Sequence, residues 1–369
     1  MNAITRNRRA GGIRINHTTA TSRSGIVALL ATLGLSDHVV TEHTENDSRL
    51  SMVTARFNEW TPGHATLSLA DTANLDPNAN PDDLIREIWL SMLAAPVWLN
   101  FPDLEELESA IRMRAEIVEA ARQTQLAFDT EAIERPKDCW TYHEDTSFTI
   151  IPGHSLIDAL VKATQPGQSG NRYAFSCYRA TEYVMLLALA RELARVNPLL
   201  YARLQQQWET KAIMSGRFHD VFLHELGSLA EPLPEHYYIP GDRVWFRNPD
   251  RRSSDVPGYE GSWVFYLGCG LFSNFWQPGR PFTLTAKCIE IYHWRDGAHL
   301  DDNGILIMDE SVVETCVQTT LADPAATASV LAQMHQLRVA SDSAIPGGCL
   351  DASREYLRPV HPHNTEIAW

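Results

Sequence analysis

Apolar positions recur at helical spacing through much of the chain up to Pro240, and beyond it the period changes to alternation. After the loop Asp76-Pro77-Asn78-Ala79-Asn80-Pro81, residues Ile85, Ile88, Trp89 and Met92 predict a helix capped by Asp82 or Asp83. Pro102 and Asp103 open a second helix through Leu104, Leu107, Ile111, Ile117 and Ala121. Phe148 to Ile151 reads as a short strand or extended turn, His154 to Leu160 as a short helix, and Gln165 to Asn171 as a loop. The stretch from Phe175 to about Ala194 is apolar almost all round past residue 183, which predicts a helix buried on most faces. Leu199 to about Met214 forms its partner.

Val244-Trp245-Phe246, Trp263 to Leu267, Cys288 to Trp294 and Ile305 to Met308 read as strands. One helix, about Pro324 to Leu337, is predicted in the last sixty or so residues. Helices first and strands afterwards is an α+β order, unlike the alternation of a doubly wound parallel sheet. Residues 1–50 are polar and read as an N-terminal arm, partly disordered or docked on the body. Residues 51–300 form the core, and 301–369 a C-terminal extension.

Composition narrows the function classes. The 369 residues carry a net charge of −15, which disfavours a general nucleic-acid surface. Lys occurs only at 137, 162, 211 and 287, so 27 of the 31 basic residues are Arg. Cysteines at 139, 177, 269, 288, 316 and 349 form no CxxC and no regular framework, which predicts reduced thiols and a cytoplasmic location. The apolar run Gly25 to Leu33 is too short to span a membrane, and its separation from the basic start argues against a signal peptide.

Among chemical candidates, Cys177 follows a Gly/Ser/Asn loop at the first turn of the apolar helix. The positive end of the helix dipole and free backbone amides there favour thiolate, the nucleophilic form. A buried structural thiol is the alternative. Glu260 precedes Gly261-Ser262-Trp263 at the entry of an aromatic strand, where burial would raise its pKa and suit it as a base; a surface charge is the alternative. His219 and His224 are five residues apart, His236 precedes two tyrosines and His293 lies on the third predicted strand. None completes an HExxH or Cys/His metal pattern. No phosphate-binding glycine loop and no GxSxG elbow occurs.

Three blocks then appear in one order: Tyr173-Ala174-Phe175-Ser176-Cys177; Gly241-Asp242-Arg243-Val244-Trp245-Phe246-Arg247-Asn248-Pro249; and Gly261-Ser262-Trp263-Val264-Phe265-Tyr266-Leu267-Gly268. They resemble the bacterial protein-glutamine gamma-glutamyltransferases of the spore-coat type, and Ile111 to Ala121 is similar to an upstream helix of that family. The resemblance, covering about 50 to 300, implies a reduced papain-like core with the cysteine helix packed on a small antiparallel sheet. It implies a Cys177 thioester formed from a glutamine carboxamide and resolved by an amine, without a metal or other cofactor. The chain also departs from the family. Ser176 stands where the family has Glu, Ser262 where its second Glu stands, and Phe275 aligns with its His. Glu260, alone or through a water held by Ser262, His236 and His293 are the replacement bases considered. Three readings stay open: a protein-crosslinking acyltransferase, an amide synthase drawing on carrier-bound thioesters, and a binding protein that kept the scaffold.

Overall fold

The structure is a computed structural model that describes residues 11–16, 20–128, 134–213, 215–338 and 347–367. The helix Cys177–Val196 occupies its centre and buries thirteen of its residues, among them Val184, Leu187 and Leu189. Such all-round burial follows from its nearly unbroken apolar run. Helices Leu104–Gln123, Leu156–Thr164 and Pro198–Thr210 pack around it, together with the strand Gly261–Gly268. Asp103 and Ser155 cap two of these helices by accepting from backbone N–H groups. The helix Pro81–Leu93 is capped by Asn80, two residues before Asp82 and three before Asp83, the expected caps, which lie in its first turn.

The main sheet has six strands in the order Phe282–Thr283, Leu271–Phe272, Gly261–Gly268, Arg243–Arg247, Arg354–Leu357 and Leu223–Leu226. Every neighbouring pair is antiparallel. Both faces are covered, and the alternation of the central strand shows it. Phe265 and Leu267 join the core around the central helix, whereas Val264 and Tyr266 join a second core under the helices Leu284–Gly297 and Pro324–Met334. The mixed helical and sheet architecture matches the α+β expectation.

Three sequence expectations change. Cys288 to Trp294 is helical, within Leu284–Gly297. Leu284, Cys288, Ile291 and Trp294 recur at intervals of three and four, and Ile289 with Ile291 mimicked alternation only locally. The boundary at residue 50 falls inside the strand Asp47–Met52. That strand and Gly12–Asn16 lie in a four-stranded sheet with Val39–His43 and Trp98–Phe101, burying Ile13 and Ile15. Residues 1–10 and 17–19 of the expected arm lie outside the described residues. Finally, the segment past residue 300 is woven into the body. The helix Glu310–Ala322, absent from the sequence reading, packs on Leu284–Gly297, and Arg354–Leu357 lies inside the main sheet.

Candidate active site

The helix Cys177–Val196 starts at the cysteine because Ser176 caps it: its hydroxyl accepts from the Arg179 N–H at 3.3 Å. The residue in the position of the family's first Glu thus has a structural task here. Cys177 is half-buried and opens on a cavity of about 360 Å³, lined also by Ser176, Tyr178, Trp245, Glu260, Gly261 and Trp263. Backbone N–H groups of Trp263 and Tyr178 and the charges of Lys287 and Arg243 favour thiolate, but burial outweighs them and raises the thiol above its ordinary value. The lowered pKa expected at a helix start is therefore reversed by desolvation.

The cavity wall is built by two strands. Trp245 and Trp263 pair across them in register and stack with ring centres 5.9 Å apart. Gly261 makes this possible, since a Cβ there would lie 2.3 Å from Trp245 Nε1. The Gly241-Asp242 block serves the same strand pair. Asp242 accepts from Arg114 Nη1 at 2.8 Å and from the Ile239 N–H at 2.7 Å, which locks the turn into Arg243–Arg247 onto the helix Leu104–Gln123. Asn248 closes the other end, donating to Ser253 and to the Tyr259 carbonyl.

The sequence-predicted residues are only partly brought together. Glu260 lines the Cys177 cavity, but it is exposed and sits just before the strand, so the burial expected to tune it is missing. Ser262 is buried opposite Phe246, and the cavity is instead lined by its neighbours Gly261 and Trp263. His236 lies outside that lining, its ring 5.8 Å from the ring of His335. His293 is on a helix, not a strand. Its Nδ1 meets Asp296 at 2.6 Å and its Nε2 meets the Thr320 hydroxyl at 2.7 Å, again outside the lining. With Cys316, His293 and Asp296 make the one group among the described residues whose donor atoms cluster closely enough for a metal ion, within 4.8 Å of one another. Phe275 is buried core, packed against Phe265.

Across the tryptophan pair lies a second cavity of about 270 Å³, which the sequence reading did not anticipate. Arg243, fully buried, is held over Tyr178 and Trp263 with its guanidinium 4.3 and 4.1 Å from their ring centres. It donates to Thr181 at 2.9 Å and to Glu355 at 2.8 Å, and Glu355 in turn meets His219 Nδ1 at 2.9 Å. Burial raises the Glu355 carboxyl, against the pull of Arg243 and His219. In the sequence His219 stands out as one of two nearby histidines, and Arg243 and Trp263 only as members of the ordered blocks; Tyr178, Thr181 and Glu355 carry no local signal.

A family model for protein-glutamine gamma-glutamyltransferase matches residues 65–293. The protein-glutamine gamma-glutamyltransferase of Halalkalibacterium halodurans is 23% identical over 193 residues, covering 51% of this chain and 62% of that protein, less than two thirds of its length. The solved transglutaminase of Geobacillus stearothermophilus, without its C-terminal extension, aligns at a TM-score of 0.41 and 19% identity, covering 59% of this chain and 98% of that one. The chain belongs to the protein-glutamine gamma-glutamyltransferase family, as a divergent member. Among the described residues no helix is long and apolar enough to cross a membrane.

Proposed function

We propose that this chain is a cysteine-dependent acyltransferase that forms an amide bond through a Cys177 thioester. The Cys177 sulfur attacks a glutamine carboxamide carbonyl, the C–N bond breaks and ammonia leaves with the thiol proton. A primary amine then attacks the thioester, the C–S bond breaks and the thiol is restored. The observation carrying this reading is the position of Cys177, at the start of a buried helix, on a cavity, with backbone N–H groups and two cations acting on the sulfur. The helix-on-antiparallel-sheet arrangement fits a reduced papain-like core. Family membership supports a protein acyl donor and an amine acceptor as partners.

A second reading changes the donor. Ser176 is occupied as a cap, and Ser262 and Phe275 are buried away from the cavity lining, so the family's acid–base groups have no counterparts at those positions. A carrier-bound thioester is more activated than a carboxamide and needs less of that help. Intact-mass analysis of the wild type and Cys177→Ala with a glutamine peptide plus a primary amine, and with an acyl-carrier thioester, separates these readings. Amine incorporation from the peptide that is lost in Cys177→Ala supports the first, and acyl-Cys177 from the thioester alone supports the second. A Cys177 no more reactive toward iodoacetamide than the other thiols, with neither donor used, leaves the binding scaffold.

A further inference from the structure

The second cavity has features that the family positions do not explain. Glu225, Asp351 and Glu355 line it against Arg243, Arg338 and His219. Arg243 pairs with Glu355 and Arg338 with Asp351 at 2.8 Å each, while Glu225 accepts from the Ser353 hydroxyl at 2.5 Å. Three carboxylates against two guanidiniums leave one excess negative charge when His219 is neutral, which suits a monocation. The buried Arg243 Nη2 has no hydrogen-bond partner; an ammonium ion cannot accept from it, but the lone pair of a neutral amine can. Trp245 and Trp263 line both cavities, so the one opens beside the other.

We propose that this second cavity receives the acceptor amine as its ammonium ion, and that His219, oriented by Glu355, takes the proton the amine must lose. The proposal rests on the acyl-transfer reading of Cys177 for its second half only. With Nδ1–H donated to Glu355, His219 Nε2 keeps a free lone pair, and Glu355 is itself fixed by Arg243. The ammonium gives its proton to Nε2 and becomes a neutral amine. That amine attacks the acyl–Cys177 carbonyl, forming the C–N bond as the C–S bond breaks. The departing thiolate takes the extra proton left on nitrogen, and His219 returns its own to water. Glu355 lies beyond the family-matched residues, so this chain supplies from its own C-terminal strand a group the matched positions lack.

Two measurements test this. Calorimetric titration of Cys177→Ala with butylamine reads the site without chemistry, and saturable binding weakened about tenfold by Glu225→Gln is expected; Glu225 is exposed, so the substitution leaves the core intact. In the chain with Cys177 present, His219→Gln is expected to form acyl–Cys177 from a glutamine peptide as the wild type does, while transfer to butylamine falls about 100-fold, the scale of a lost general base. Binding indifferent to Glu225→Gln overturns the acceptor site. Amine transfer indifferent to His219→Gln overturns the proton step. A wild type that never forms acyl–Cys177 with any donor defeats the acyl-transfer reading and the proton step together, whereas butylamine binding that depends on Glu225 still upholds the site.

Discussion

Glu87 gives a sharp test of how the fold holds its charges. It is fully buried on the helix Pro81–Leu93, where its carboxyl accepts from the Cys269 N–H at 3.0 Å and from the Tyr266 hydroxyl at 3.2 Å. Burial pushes it from an ordinary 4.5 up to about 7 even though both donors pull the other way. At about 1.4 kcal/mol per pKa unit, that shift corresponds to about 3 kcal/mol against the charged form. The folded protein therefore binds the Glu87 proton more tightly than the unfolded chain. The stabilisation is complete below pH 4.5 and is lost as the pH rises through about 7. Glu87→Gln removes the titration. Denaturant midpoints of both proteins, taken from pH 4.5 to 8.5, are expected to show the variant gaining on the wild type by up to about 3 kcal/mol toward the alkaline end. Many groups titrate in this range, but the difference between the two proteins isolates Glu87. A stability of the variant minus that of the wild type that stays constant with pH, or that falls as the pH rises, refutes the reasoning.

Other substitutions probe the geometry around the cavity. Gly261→Ala sets a methyl against Trp245 Nε1 and, at 2.5 Å, the Phe246 carbonyl, and should cost about 1–3 kcal/mol in unfolding free energy while disturbing the fluorescence of the tryptophan pair. Asp242→Ala leaves Arg114 buried without its carboxylate, so thermal unfolding should reveal a loss of about 3–5 kcal/mol. Ser176→Ala removes the cap of the central helix at about 1 kcal/mol, and Ser176→Asp should restore most of it. Because the Cys177 thiol is raised, its alkylation by iodoacetamide should be slow at neutral pH and still accelerating above pH 9, and a plateau near pH 7 contradicts the burial argument.

Local pattern determined much of this protein. The all-round apolar run fixed the central helix, and a capping serine set its start at Cys177. Alternation marked Arg243–Arg247 and Gly261–Gly268, and three ordered blocks were enough to name the family. Helical and strand periods are read over a few residues, so these elements needed no distant partner to be legible. The same short range misled at Ile289 and Ile291, whose alternation sits inside a helix packed on more than one side.

What only the tertiary structure decided are the charges inside. Arg354 and Glu355 look like surface residues, yet they lie in an inner strand because partners close their hydrogen bonds: the Tyr237 carbonyl for Arg354, and Arg243, 112 residues earlier, for Glu355. A buried charge is tolerable only beside such a partner, and no local pattern states where that partner will be. The direction of the Cys177 shift was hidden for a related reason. Position at a helix start is written in the sequence and lowers a thiol pKa, but the desolvation that overrides it comes from strands and helices folded over the site.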